Sequence, residues 1–180
     1  MYTEIEAKLK VDSLEEVRKK LKELDAEFAG ELLQEDVLFD DYSDSLTKAD
    51  SCIRLRKQTT DGETKYILTY KGAKEKSSFK KRHEIEVEVS DGESVQNILS
   101  ALGYEKKITV EKHRSLWRLG GCEVALDQLK NLGNFVEIEG PDEKIINDVQ
   151  KSLGLNNSQH IPKSYASLIA DKLTEMKKQW

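Results

Sequence analysis

Glu4, Glu6 and Lys8 alternate with Ile5, Ala7 and Leu9. Side chains two apart on an extended strand share one face, so this spacing sets two carboxylates and an ammonium side by side. Carboxylates are hard oxygen donors suited to Mg²⁺ or Mn²⁺. Ile53-Arg54-Leu55-Arg56 repeats the spacing with guanidiniums, which suit phosphate oxygens. Arg82-His83-Glu84-Ile85-Glu86-Val87-Glu88 mixes both signs, and Phe135-Val136-Glu137-Ile138-Glu139 is acidic again. Of the three alternating acids, Glu86 is the favoured metal ligand, Glu84 the next, and Glu88 belongs at an outer rim. A cross-strand ion-pair lattice on a solvated face would explain any one of these stretches. It explains the set less well, because the pattern recurs along the whole chain.

The elements that must carry these residues can be read from periodicity. Strands are expected over residues 2–11, 34–41, 51–58, 65–71, 80–90, 108–118, 122–128 and 133–140. Thr59-Thr60-Asp61-Gly62 has the chemistry of a tight hairpin turn. Ser13-Leu14-Glu15-Glu16 reads as a capping box. It opens a helix whose apolar stripe is Leu14, Val17, Leu21, Leu24 and Phe28, with Gly30 as its stop. Further amphipathic helices carry Val95, Ile98, Leu99 and Leu102, then Ile145, Ile146, Val149 and Leu153, then Tyr165, Leu168, Ile169, Leu173 and Met176. They need an apolar surface, and the strands offer Ile5, Ala7, Leu9, Ile53, Leu55, Ile85, Val87, Val136 and Ile138. Helices on that face leave the charged face for the inside of a closed antiparallel sheet of about eight strands. The expected class is α+β, a closed eight-stranded β-barrel with helices outside, formed by residues 1–180 as one domain.

Such an interior is lined by the acids Glu4, Glu6, Glu84, Glu86, Glu88 at its rim, Asp127, Glu137 and Glu139 and the bases Lys8, Arg54, Arg56, Lys71, Arg82, Lys112 and Arg114. Burying that many ions for stability alone is costly. A hydrated passage that takes a metal–polyphosphate ligand accounts for both sets. No Ser, Cys or His arrangement suggests a covalent intermediate, so the chemistry expected is attack of water on phosphorus. The run Lys74, Lys76, Lys80, Lys81 reads as a solvated loop, and the tyrosines, Trp117 and Trp180 as packing or surface groups.

The net charge of the 180 residues is −5, with 35% charged and 37% apolar residues. Near-balance of charge gives no reason to expect nucleic acid or an anionic membrane as partner. Cys52 and Cys122, far apart, fit a reduced, cytoplasmic protein with no disulfide framework, and the reading admits a homodimer.

The ordered set of motifs resembles the CYTH group, the triphosphate tunnel metalloenzymes, over nearly the whole chain. Glu4-Ile5-Glu6-Ala7-Lys8 matches the ExExK signature. Arg54-Leu55-Arg56, Leu68-Thr69-Tyr70-Lys71-Gly72, Arg82-His83-Glu84-Ile85-Glu86, Lys112-His113-Arg114, Asp127, Glu137-Ile138-Glu139-Gly140 and Lys163-Ser164-Tyr165 resemble its later strands and last helix. Leu38 stands where the family often has tyrosine, so the strand over 34–41 is left out of the site.

The resemblance implies a tunnel barrel acting on triphosphates with Mg²⁺ or Mn²⁺. Its members include inorganic, thiamine and RNA triphosphatases and class IV adenylate cyclases. It implies Glu4, Glu6, Lys8 and Arg56 as catalytic. Lys8, Arg54, Arg56, Lys71, Arg82, Lys112, Arg114 and Lys163 would bind substrate. Glu4, Glu6, Glu84, Glu86, Asp127, Glu137 and Glu139 would hold metal. The reading ranked first is a triphosphatase acting on inorganic triphosphate and nucleoside triphosphates. A cyclase making cyclic AMP and pyrophosphate ranks second, and a polyphosphate-binding module third.

Overall fold

The computed structural model describes residues 2–75 and 79–177; Lys76 and Trp180 lie outside them. Eight strands, β1 (Tyr2–Val11), β2 (Glu27–Asp41), β3 (Cys52–Thr60), β4 (Glu63–Lys71), β5 (Lys80–Val89), β6 (Tyr104–Leu119), β7 (Cys122–Leu129) and β8 (Gly133–Glu139), close into a barrel in the order β1-β5-β4-β3-β2-β6-β7-β8. Every neighbouring pair is antiparallel. Among the described residues five helices accompany it: α1 (Leu14–Glu23), α2 (Ser45–Lys48), α3 (Gly92–Ala101), α4 (Glu143–Ser152) and α5 (Tyr165–Lys177). None of the described helices is long and apolar enough to cross a membrane.

Closure follows from alternation. Ala7, Leu9, Val124, Leu126, Val136 and Ile138 turn outward and pack with Val17 and Leu21 of α1 and Ile146 and Val149 of α4. A second shell joins Val37, Phe39 and Leu55 to Leu99 of α3. Burying large aliphatic side chains is worth roughly 1.5–3 kcal/mol each, so this outer shell holds the barrel shut while the inner faces remain polar. The Asp61–Gly62 turn has φ of +50° and +84°, as a two-residue hairpin of matching twist requires.

Three expectations need correction. The first helix stops at Glu23, not before Gly30, because Leu24 and Asp25 (φ +53°) break it. Phe28 therefore belongs to β2, where its ring lies 5.0 Å from that of Trp117. Gly30, at φ +136°, sits in the register shift of β2 against β6. The second strand thus begins at Glu27 instead of residue 34, the sixth begins at Tyr104 instead of residue 108, and the remaining strand ends shift by two residues or fewer. Finally, the apolar face is not wholly covered: Ile85 and Val87 of β5 are half exposed, as is Ile98 of α3, and Leu102 just past α3 is largely exposed.

Gly140 joins β8 to α4 and fixes how closely the helix approaches the strand that carries Glu137 and Glu139. A Cβ there would lie 2.7 Å from Cys122 Sγ and 2.9 Å from Ile146 Cγ1. Gly140→Ala is expected to cost about 1–3 kcal/mol by overpacking, lowering Tm by about 3–10 °C. Thermal unfolding measures this, and an unchanged Tm would show the junction to be slack.

Candidate active site

Alternation turns the even-numbered side chains of β1, β2, β3, β5 and β6 into the lumen, where a cavity of about 780 Å³ opens. Glu4, Glu6 and Lys8 line it from β1, Arg54 and Arg56 from β3, Lys71 from β4, and Arg82, Glu84 and Glu86 from β5. Lys112 and Arg114 line it from β6, and Glu137 and Glu139 from β8. The predicted inward set is therefore together, with two exceptions. Lys163 points away: its ammonium donates to Asp171 at 2.6 Å, and only its backbone carbonyl reaches the site, accepting from Lys8 Nζ at 3.2 Å. Asp127, expected as a metal ligand, is fully buried behind the lining. It accepts from Lys112 (3.2 Å), Arg114 (2.7 and 2.6 Å) and the Tyr165 hydroxyl (2.9 Å), so its role is to anchor cations.

The charges are arranged unevenly. On one side acids crowd. Glu4 and Glu84 share the ammonium of Lys71, which lies 3.2 Å from Glu4 and in close contact with Glu84. Glu6 accepts from Lys80 at 2.7 Å. Burial, with a hydrogen bond to Glu4, pushes the Glu84 carboxyl up to about 7. Burial, with the charges of Glu4, Glu123 and Glu6, pushes Glu139 up to about 7. On the other side cations crowd. Arg56 grips Asp36 through two hydrogen bonds, 2.6 and 2.8 Å. Arg114 bridges Asp127 and Glu137. Lys112, buried and beside Arg114, is pushed down to about 8.

Glu84, and not Glu86, proves the more deeply placed of the two β5 acids. Glu86 stands nearer solvent and accepts from Arg54 at 3.0 Å and from Thr69 at 2.9 Å. Glu88 is exposed beside Lys65, as its rim position implied.

Asp36, Asp40, Lys80 and Tyr165 are among the lining residues that sequence reasoning missed. Asp36 faces inward with Gln34 and Leu38, but Val37-Leu38-Phe39 conceals the parity of β2. Asp40 of the same face accepts from the backbone of Leu46 and Thr47 and so ties α2 to the mouth. Lys80 was hidden in a lysine run. Its even number, shared with Arg82 and Glu84, was the available signal: burial would lower its pKa, but Glu6, Glu4 and Glu137 hold it well above the ordinary lysine value. Tyr165, at the head of α5, is buried against Lys8 and Lys112.

Two observations bear on what the lumen accepts. Among the described residues, the buried Nε atoms of Arg54 and Arg82 have no hydrogen-bond partner, leaving guanidinium donors for an anion. Also among them, no three acidic, His or Cys side chains form a ready metal cage, because Lys71 and Lys80 occupy the acids. The donor set still fits a hard divalent cation. Glu4 touches Glu84, and Glu139 is raised by its acidic neighbours, so negative charge is in excess there.

The CYTH domain family model matches residues 2–165. The chain belongs to the CYTH family. Among CYTH relatives, a Methanocaldococcus jannaschii protein that bears a provisional adenylate cyclase name is 29% identical, covering 92% of this chain and 97% of its own. The Aeromonas hydrophila adenylate cyclase CyaB is 30% identical over 49% of this chain and 51% of its own. The solved PH1819 protein of Pyrococcus horikoshii superposes with a TM-score of 0.83 at 28% identity, covering 95% of this chain and 99% of that one. PH1012 from the same organism gives 0.79 at 31%, covering 92% and 98%.

The raised carboxyls predict a pH signature. Glu139 has a folded pKa near 7 against an ordinary 4.5. The neutral form is favoured in the fold, so its contribution is fully present below about 4.5 and lost as pH rises through 7. Glu139→Gln, which is permanently neutral, should therefore raise Tm in chelator at pH 8 by about 2–4 °C, on the order of 1 kcal/mol after allowing for partial exposure. At pH 4.5 it should leave Tm unchanged. An equal effect at both pH values would mean that charge is not the cause.

Proposed function

We propose that the chain is a divalent-metal-dependent triphosphatase that hydrolyses inorganic triphosphate inside the barrel, with nucleoside triphosphates as further substrates. The observation that carries this reading is the cationic lining. Lys8, Arg54, Arg56, Lys71, Lys80, Arg82, Lys112 and Arg114 come from five strands around one lumen. Among the described residues, the buried Nε donors of Arg54 and Arg82 have no partner. A ligand made entirely of phosphate uses such a surround from every side.

The roles follow from position. Arg54, Arg56, Lys112 and Arg114 bind and orient the phosphate chain and stabilise charge on its equatorial and leaving oxygens. Lys8 lies between Glu6 (3.7 Å) and Glu137 (3.2 Å), where its ammonium meets a phosphate oxygen held beside the acids. Glu4, Glu6, Glu84 and Glu139 would hold Mg²⁺ or Mn²⁺, with Glu86 and Glu137 at either edge of that group. Such an ion, when bound, neutralises phosphate oxygens and makes water more acidic. Glu4 or Glu6 positions the water and takes its proton. Attack on the terminal phosphorus breaks the anhydride bond and releases orthophosphate and pyrophosphate.

The names of the two curated relatives favour a second reading, an adenylate cyclase, in which a ribose hydroxyl attacks the α-phosphorus. Products decide between them. With Mg²⁺ or Mn²⁺, inorganic triphosphate should give a higher kcat/KM than ATP, yielding phosphate and pyrophosphate. Cyclic AMP as the main product from ATP would establish the cyclase instead. Binding of triphosphate without turnover under either metal would indicate a binding module. Activity should vanish on chelation, and Ca²⁺, which coordinates loosely, should inhibit.

A substitution test must respect the ion pairs. Arg56→Ala alone strands the buried Asp36 and risks the fold, so it should be made with Asp36→Asn. Relative to Asp36→Asn alone, the double variant should lose about 10–100-fold in kcat/KM, as expected for a lost charged hydrogen bond of about 1.5–3 kcal/mol. Equal values would place Arg56 outside the substrate contacts.

A further inference from the structure

Tyr165 is the first residue of α5, and the chain leading to it is fastened to β1. Leu9 bridges His160, and the Ile161 N–H donates to the Lys8 carbonyl at 2.8 Å. The ring is 7% exposed and meets Phe135 edge-on at 5.1 Å. The ammonium of Lys8 lies 4.1 Å from its centroid, and that of Lys112 lies 5.0 Å away. Two buried cations of different strands thus share one aromatic ring.

The groups around these cations make the ring consequential. Lys8 faces Glu6 and Glu137, and Lys112 faces Asp127, with Arg114, Arg56 and Glu137 nearby. A carboxylate holds an ammonium by neutralising it. A π-face holds it by its quadrupole and leaves the charge for a ligand. The hydroxyl, donating to Asp127, fixes the tilt of the ring. Ala170 and Leu173 line the same cavity from farther along α5, but Leu173 is half exposed, so the tyrosine is the buried end of the helix over the lumen.

We infer that Tyr165 is a positioning residue of the phosphate site, its ring holding the Lys8 and Lys112 ammoniums at the lumen wall as charged groups ready for anionic oxygens. This rests on the triphosphate reading above. Both contacts act through the ring face, so inverting the ring's electrostatics should weaken binding of a polyphosphate about 10-fold.

The test uses the full chain and inorganic tripolyphosphate, with the dissociation constant measured calorimetrically in chelator so that turnover plays no part. Tyr165→Phe keeps the ring and is expected within about three-fold of wild type. Tyr165→pentafluorophenylalanine has nearly the same shape but an inverted quadrupole, and should bind about 10-fold more weakly than the Phe variant. Leu168→Ala, which loosens the packing of α5 without touching either lysine, should lower Tm and leave the constant within about three-fold of wild type. In a chain carrying Lys8→Met and Lys112→Met, the fluorinated ring should have no further effect. Equal binding by the Phe and pentafluoro variants, or loss in Leu168→Ala as large as in the pentafluoro variant, would overturn the role assigned to the ring. Wild-type protein that fails to bind tripolyphosphate would overturn the triphosphate reading itself.

Discussion

A closed barrel with charged side chains inside must balance those charges internally. Each ion removed from bulk water costs several kcal/mol unless an opposite charge and hydrogen bonds replace the hydration. The lumen meets this demand by interleaving. Lys71 joins Glu4 to Glu84, Lys80 joins Glu6, Arg56 takes Asp36, and Arg114 takes Asp127 and Glu137. These pairs do not supply the fold's main stability, because buried ion pairs rarely outperform apolar packing. The outer shell around Leu21, Leu9, Val124 and Ile138 does that. The division of labour explains the composition: a modest apolar fraction suffices when it is confined to one face of every strand.

That division is also why so much was legible. A period of two separates the faces of β1, β3, β5, β6 and β8 in the letters themselves, and the inward face of each then shows its charges. Legibility failed where the letters lose parity or where contacts are distant. Val37-Leu38-Phe39 is apolar on both faces of β2, so Asp36 and Gln34 were overlooked. Lys80 follows other lysines, and a run of like charges reads as solvent. Leu24 and Phe28 continue a helical stripe by spacing, yet Asp25 turns the chain and β2 claims Phe28 for Trp117. Lys163 and Tyr165 are neighbours in a helix start. Only the path of the segment along β1 determines that the tyrosine enters the lumen while the lysine turns to Asp171.

The internal balance is incomplete in a telling way. Glu84 and Glu139 are both driven up to about 7, and Lys112 is driven down to about 8. One cause operates with opposite sign: burial together with like charges nearby. Around the acids the neighbours are Glu4, Glu6 and Glu123; around Lys112 they are Arg114 and Arg56. Each site would gain by receiving opposite charge from outside. A lone anion relieves the basic side and leaves the acids as they are. A lone cation does the reverse. A ligand that carries a divalent cation on a polyanionic chain relieves both at once. The same uneven charge gives such a ligand a direction, with the cation toward Glu4 and Glu84 and the free phosphate oxygens toward Arg54, Arg56 and Arg114. The polarity of the lumen, set by which strand carries which sign, would then determine which end of such a ligand faces the acidic side.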